Sequence, residues 1–321
     1  MNHVKNKHQQ QHQTHLISSL ISESSTMSQE DLLTRVTPLP LDEIEDTTPI
    51  IPKRKHWLVP TLYRIQKYSA YSFISFLGIH ATSVILVPIL PIDQSIKDEV
   101  FAMAKEIYQS VPFYEPICII GSVTAHVIAG ISIRIYKKYF QKKPQPHHMY
   151  NGKSSPITNK LEDHDDDIGF GGISNLFGLG YRKSFTVQFG MTPLQFSGYV
   201  LIPFFIYHMY KFRYVPWIND GDSSLINLEY ISYVLNLKHP MWNIFALGTL
   251  IYAMSYHGTN GLMKLKGKYS KAWKKIGLTI VNGLSLLGWV SVYLFKSNVD
   301  VIDVNGFLGK SFTKYIRSFW L

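Results

Sequence analysis

The chain has 321 residues, 46% hydrophobic and 17% charged, with one cysteine and a formal net charge of +10 at neutral pH. Its mean hydropathy is +0.01 because a polar amino-terminal segment offsets several long apolar stretches. The single Cys118 excludes an intramolecular disulfide or a thiolate metal cluster, and basic residues clustered beside apolar stretches suit membrane topology better than a nucleic-acid surface.

Residues 1–56 read as a disordered tail, rich in Gln and His and without the apolar core of a secretory signal peptide. His3, His8, His12 and His15 read as parts of a solvated polar segment. One stretch differs: Leu33-Thr34-Arg35-Val36-Thr37-Pro38-Leu39-Pro40-Leu41, followed by Asp42, Glu43, Glu45 and Asp46. Pro38 and Pro40 fix an extended backbone at low entropic cost, and Leu33, Val36, Leu39 and Leu41 have no core to enter. Composition leaves two readings open, a docking peptide and a proline-rich spacer.

Five continuous apolar segments follow, near 69–92, 113–136, 194–212, 241–263 and 276–296, each about the 20 residues that a bilayer requires. Continuous rather than alternating runs imply helices, not a barrel. The predicted fold is an all-α membrane protein with five transmembrane helices. Its parts are the tail 1–56, a first helix pair 57–139, a flexible linker 140–193, a second helix pair 194–270, and a fifth helix with a carboxy-terminal tail, 271–321. Lys53, Arg54, Lys55, Arg64 and Lys67, the basic linker, and the cluster from Lys264 to Lys275 fall on one side. That bias predicts a cytosolic amino terminus. In the linker, the acidic run 162–167 and the glycines 169–180 lack the pattern of a calcium loop or a nucleotide fingerprint. Asp220 and Asp222, between the third and fourth segments, are expected to be solvated.

The two helix pairs read as an internal duplication with a period near 130 residues. Tyr68-Ser69-Ala70-Tyr71 precedes His80 and Pro88, and Phe196-Ser197-Gly198-Tyr199 precedes His208 and Pro216. His126 with Gly130, Ile131 and Arg134 matches His257 with Gly261, Leu262 and Lys264. Each of the first four segments thus carries one histidine, a costly residue inside a membrane and a functional candidate by default. An eleven-residue offset puts Ser69 on the face of His80 and Ser197 on that of His208. Gly130 and Gly261, one turn beyond His126 and His257, leave room for a planar group or a second backbone. Two pairs at matched depth meet the requirement of bis-imidazole haem ligation, and helix packing is the alternative. Ser255, His257, Thr259 and Asn260 line one helix as either a path for lipid headgroups or a packing edge. No nucleophilic triad, metal-hydrolase motif or phosphate loop is present, so no enzymatic activity is expected.

The pattern Ser69-Ala70, then His126, Gly130, Ile131 and Arg134, with its looser second copy Ser197-Gly198, His257, Gly261 and Leu262, resembles the membrane-anchor cytochrome b subunits of succinate dehydrogenase and fumarate reductase. That resemblance implies a four-helix bundle in which His126 and His257 face one haem b, and His80 with His208 face a second. The whole chain resembles a family of fungal mitochondrial outer-membrane proteins that suppress loss of the ER–mitochondria tether. Those proteins carry the tail motif hydrophobic-x-x-hydrophobic-x-Pro-x-Pro, which Leu33, Val36, Pro38 and Pro40 fit at all four defining positions. The resemblance implies a multi-pass adaptor in the mitochondrial outer membrane. Its tail would recruit a VPS-thirteen-type lipid-transfer protein in the service of lipid homeostasis and transport at membrane contact sites.

Overall fold

A computed structural model describes residues 57–140, 190–236, 239–268, 270–297 and 303–318, all within one unit, His56–Leu321. The Pro-x-Pro stretch 33–40 and nearly all of the linker 140–193 lie outside the described residues. Helices account for the described secondary structure, and no strand occurs among the described residues.

All five expected segments are helical. Helix α1 spans Leu58–Ala81 and continues through a widened turn, Thr82–Leu86, and a tight one, Val87–Ile89. Helix α2 (Gln94–Ser110) follows, and the widened turn Glu115–Gly121 leads into α3 (Ser122–Tyr139). Helix α4 (Pro193–Met209) runs through Tyr210–Tyr214 into α5 (Val215–Asp220). Then come α6 (Leu228–Asn236), α7 (Pro240–Leu265), α8 (Lys271–Ser297) and α9 (Phe307–Arg317). Among the described residues, three continuous helices are long and apolar enough to cross a membrane: Leu58–Ile89, Glu115–Tyr139 and Lys271–Ser297. The α4 helix has 17 residues before its widened turn. The α7 helix is longer, but Asn243, His257 and Asn260 dilute its apolar content.

Local chemistry sets the helix boundaries. Thr192 and Gln195 form a reciprocal capping box at the start of α4, with Pro193 in the first helical position. Gly221 closes α5 and Gly267 follows α7, both with positive φ, 83° and 65°. The prolines Pro88 and Pro216 lie just past the widened turns of α1 and α4. A proline has no N–H to give the carbonyl four residues earlier, so the ladder loosens there. For Pro88 that carbonyl belongs to Val84, and Ser291 Oγ of α8 donates to it at 2.8 Å.

Helix α1 packs on α3, α4 on α7, and α7 on α8. The last contact is close because both helices offer glycines. A Cβ on Gly248 would lie 2.4 Å from the Trp289 ring, and one on Gly288 would lie 2.4 Å from Ile251 Cγ2. The short helices were not legible as separate elements. Helix α2 buries Phe101, Ala104 and Tyr108, at helical spacing. Helix α6 is capped by Asp98, whose carboxylate accepts from the Leu228 N–H at 3.0 Å. Helix α9 buries Gly309, Phe312, Tyr315 and Ile316 against α5 and α6.

Asp220 is exposed as expected, but it is not without partners. It accepts from Lys314 at 2.8 Å and from the Tyr315 hydroxyl, tying α9 to the end of α5. These hydrogen bonds, Lys314 first, hold its carboxyl below the usual carboxylate range. Asp222 is exposed and closes a local turn onto Ser224.

Candidate functional site: two facing histidine pairs

The four membrane histidines meet in two pairs, each with one member from each repeat. His80 of α1 and His208 of α4 have ring centroids 5.9 Å apart at 70°. His126 of α3 and His257 of α7 stand 6.1 Å apart at 84°. These are the two pairings expected from the spacing.

The second pair is held by backbone. His126 Nδ1 lies 3.1 Å from the Gln66 carbonyl, and His257 Nδ1 lies 3.1 Å from the Leu194 carbonyl. A carbonyl can only accept, so both rings carry their proton on Nδ1 and present the Nε2 lone pair at the opposite edge. The same carbonyls also accept from serines. Ser69 Oγ donates to Gln66 at 3.1 Å and Ser197 Oγ to Leu194 at 2.8 Å. The serines therefore serve the histidine of the neighbouring helix rather than the one eleven residues ahead; Ser197 Oγ is also 3.2 Å from His257 Nδ1.

The glycines divide differently from expectation. A Cβ on Gly130 would meet the Gln66 side-chain amide at 3.2 Å, so Gly130 makes room for α1. A Cβ on Gly261 would meet nothing within 4 Å. The tight position is Gly198, where a Cβ would lie 2.9 Å from His257 Cε1. Its role was visible only as the small half of the Ser-small motif.

The first pair is built otherwise. His80 stacks on Phe76 with centroids 5.2 Å apart, and His208 lies 5.0 Å from Phe212. The Nδ1 atoms of both rings are shielded from solvent and have no hydrogen-bond partner. On the fourth segment, Asn260 is fully buried and donates to the Tyr256 hydroxyl at 3.1 Å, as a packing residue does.

His126 and His257 would be the residues to hold a haem iron, each with its Nδ1–H given to a backbone carbonyl. A ring N–H given to a backbone carbonyl is how ligating histidines are oriented. Haem held there would supply one-electron redox chemistry.

Long apolar helices joined by polar contacts inside the bundle define an α-helical membrane protein. A family model, "MDM10-complementing protein 1, transmembrane domain", matches two stretches of the chain, 75–186 and 203–310. The chain belongs to this family. The two matches begin 128 residues apart, in step with the repeat in the sequence. The mitochondrial adapter protein MCP1 of Saccharomyces cerevisiae is 29% identical over 263 residues, covering 80% of each chain. No solved structure matches.

Gly198→Ala places a methyl against the His257 ring, and overpacking of this kind costs about 1–3 kcal/mol. Gly258→Ala adds a methyl where nothing lies within 4 Å and removes a helical glycine, a gain of up to about 1 kcal/mol. Thermal unfolding in detergent should rank the three proteins Gly258→Ala, wild type, Gly198→Ala from most to least stable.

Proposed function

We propose that this protein is an adaptor of the mitochondrial outer membrane that recruits a VPS-thirteen-type lipid-transfer protein through its amino-terminal tail. The observation that carries the reading is the Leu33, Val36, Pro38, Pro40 pattern lying ahead of a membrane domain of this family. Its similarity to a yeast mitochondrial adapter protein supports it. An extended segment stiffened by Pro38 and Pro40 loses little entropy on binding, while Leu33 and Val36 offer side chains to alternate pockets. In this reading all five long helices cross the membrane and the tail is cytosolic, as the distribution of Lys and Arg favours. The double variant Pro38→Ala with Pro40→Ala is expected to abolish capture of the lipid-transfer protein in a pull-down while membrane insertion is unchanged. Undiminished capture would remove the proposal.

Passive scrambling along the Ser255–Thr259 edge of α7 is the lipid step that such an adaptor would assist. Headgroup exchange in proteoliposomes should then exceed that in protein-free liposomes, and equal rates argue against it.

A second reading, a haem b protein, would use the carbonyl-anchored rings of His126 and His257 as its ligands. Its mark is an α-band in the reduced-minus-oxidised spectrum that disappears in His126→Phe. A featureless spectrum of protein purified from haem-replete cells rules the reading out.

A further inference from the structure

Charge in this fold is divided by end. Among the described residues all nine carboxylates lie at one end, in the stretches 93–115 and 220–229 and at Asp303. At the other end α1, α4 and α8 begin and α3 and α7 finish. That end carries eleven Lys and Arg and, among the described residues, no carboxylate: Arg64, Lys67, three cations in 134–138 and six in 264–275. Membrane insertion does not require such a division. The topological bias counts Lys and Arg, and acidic residues contribute little to it. The two ends also treat their cations differently. Where carboxylates are at hand they are used, as Arg213 pairs with Glu115 and Lys314 with Asp220. At the other end the cations lean on aromatic rings. Arg134 lies 5.5 Å over Tyr199, Lys137 5.8 Å over Tyr63, Lys67 5.9 Å over Tyr71 and Lys268 5.1 Å over Trp273. A ring attracts a cation through its face but brings no net charge, so the positive charge stays uncompensated. Tyr63, Tyr139 and Trp273 are exposed, and exposed Tyr and Trp at the ends of membrane helices mark the depth of the lipid headgroups.

We propose that this end of the bundle selects anionic phospholipids from the leaflet it faces, their phosphates supplying the negative charge that the described chain lacks there. The cations form two groups. One lies where α1, α3 and α4 meet, with Arg134 also reaching the Tyr199 hydroxyl at 3.5 Å. The other is the corner between α7 and α8, where Lys268, Lys271 and Lys275 surround Trp273 in the sequence. Lys and Arg have stems long enough to keep the chain's carbons against the apolar belt while the charge reaches phosphate depth. A zwitterionic headgroup brings its own cation beside its phosphate, so a net negative headgroup is the one that complements this surface. Each Lys or Arg close to an anionic leaflet strengthens association roughly fivefold. The chain's own acidic runs, 42–46 and 162–167, lie outside the described residues, and the test separates them from the lipid as the source of the counter-charge.

The test places the full-length protein in phosphatidylcholine vesicles with a trace of spin-labelled phosphatidylserine or spin-labelled phosphatidylcholine. Electron spin resonance then reads the fraction of each label held at the protein surface. Phosphatidylserine should be held at least about threefold more strongly than phosphatidylcholine at low salt. The preference should disappear near 1 M salt, where the screening length is only about 3 Å. The triple variant Lys268→Gln, Lys271→Gln and Lys275→Gln should lose about half of the preference, since it leaves the cations of α1 and α3 in place. Changing the same three residues to Arg should keep it. At the opposite end, Lys310→Gln with Arg317→Gln should leave it unchanged. Should the triple variant fail to insert, the comparison of lipids and salts on the wild type decides by itself. Equal retention of the two labels, a preference that survives high salt, or an undiminished preference in the triple variant would overturn the proposal. So would a preference that is absent in the wild type and emerges when Glu162→Gln, Asp163→Asn, Asp165→Asn, Asp166→Asn and Asp167→Asn are combined, which would assign the counter-charge to the chain itself. Selection belongs to the membrane domain, so Pro38→Ala with Pro40→Ala leaves it intact.

Discussion

A hydrocarbon environment gives a polar side chain no water to fall back on, and the bundle is arranged around that shortage. Four histidines sit on otherwise apolar helices, and each must find what it needs inside the protein. His126 and His257 do so by reaching a backbone carbonyl on the neighbouring helix, where a serine also donates. Those bonds turn each helix pair so that its imidazole faces the other repeat. The pairing of the repeats, the depth of the rings and the placement of Gly198 all follow from this one arrangement.

Much of this was legible because duplication doubles every signal. A lone histidine in an apolar run says little, whereas the same residue at the same distance from Ser, Pro and Gly in two copies specifies a partner. The long helices were legible from length alone. The elements that escaped notice are those whose meaning is tertiary. Helix α2 and helix α9 carry apolar residues at helical spacing, but their many charges disguise short covering helices as loops. Asp220 reads as a loop acid because its partners, Lys314 and Tyr315, lie some 94 residues away. The register of the serines was also misleading. Helical periodicity places Ser197 on the face of His208, but the nearer imidazole comes from another helix, which no count along one chain reveals.

The two histidine pairs show how equal sequence patterns acquire different chemistry. One pair has its Nδ1 atoms committed to carbonyls, which fixes the tautomer and leaves the opposite edge of each ring as an acceptor. The other pair has Nδ1 atoms without partners beside a cavity, and each ring lies close to an aromatic, Phe76 or Phe212. The first arrangement is held by backbone carbonyls, and the second by aromatic contacts that leave both Nδ1 atoms shielded and unpartnered. The polar cluster of Arg213, Glu115, Ser223 and Lys105 beside the cavity is satisfied by its own hydrogen bonds.

The contact between Ser291 and the Val84 carbonyl bears on how the chain assembles. Pro88 leaves that carbonyl without its usual helical donor, and the hydroxyl that reaches it belongs to the last long helix, 207 residues further along. During synthesis the first helix is complete long before its complement exists. The proline therefore acts as a reserved berth, marking where the final helix must dock, and the first repeat reaches its finished hydrogen bonding only when the whole membrane domain has been made.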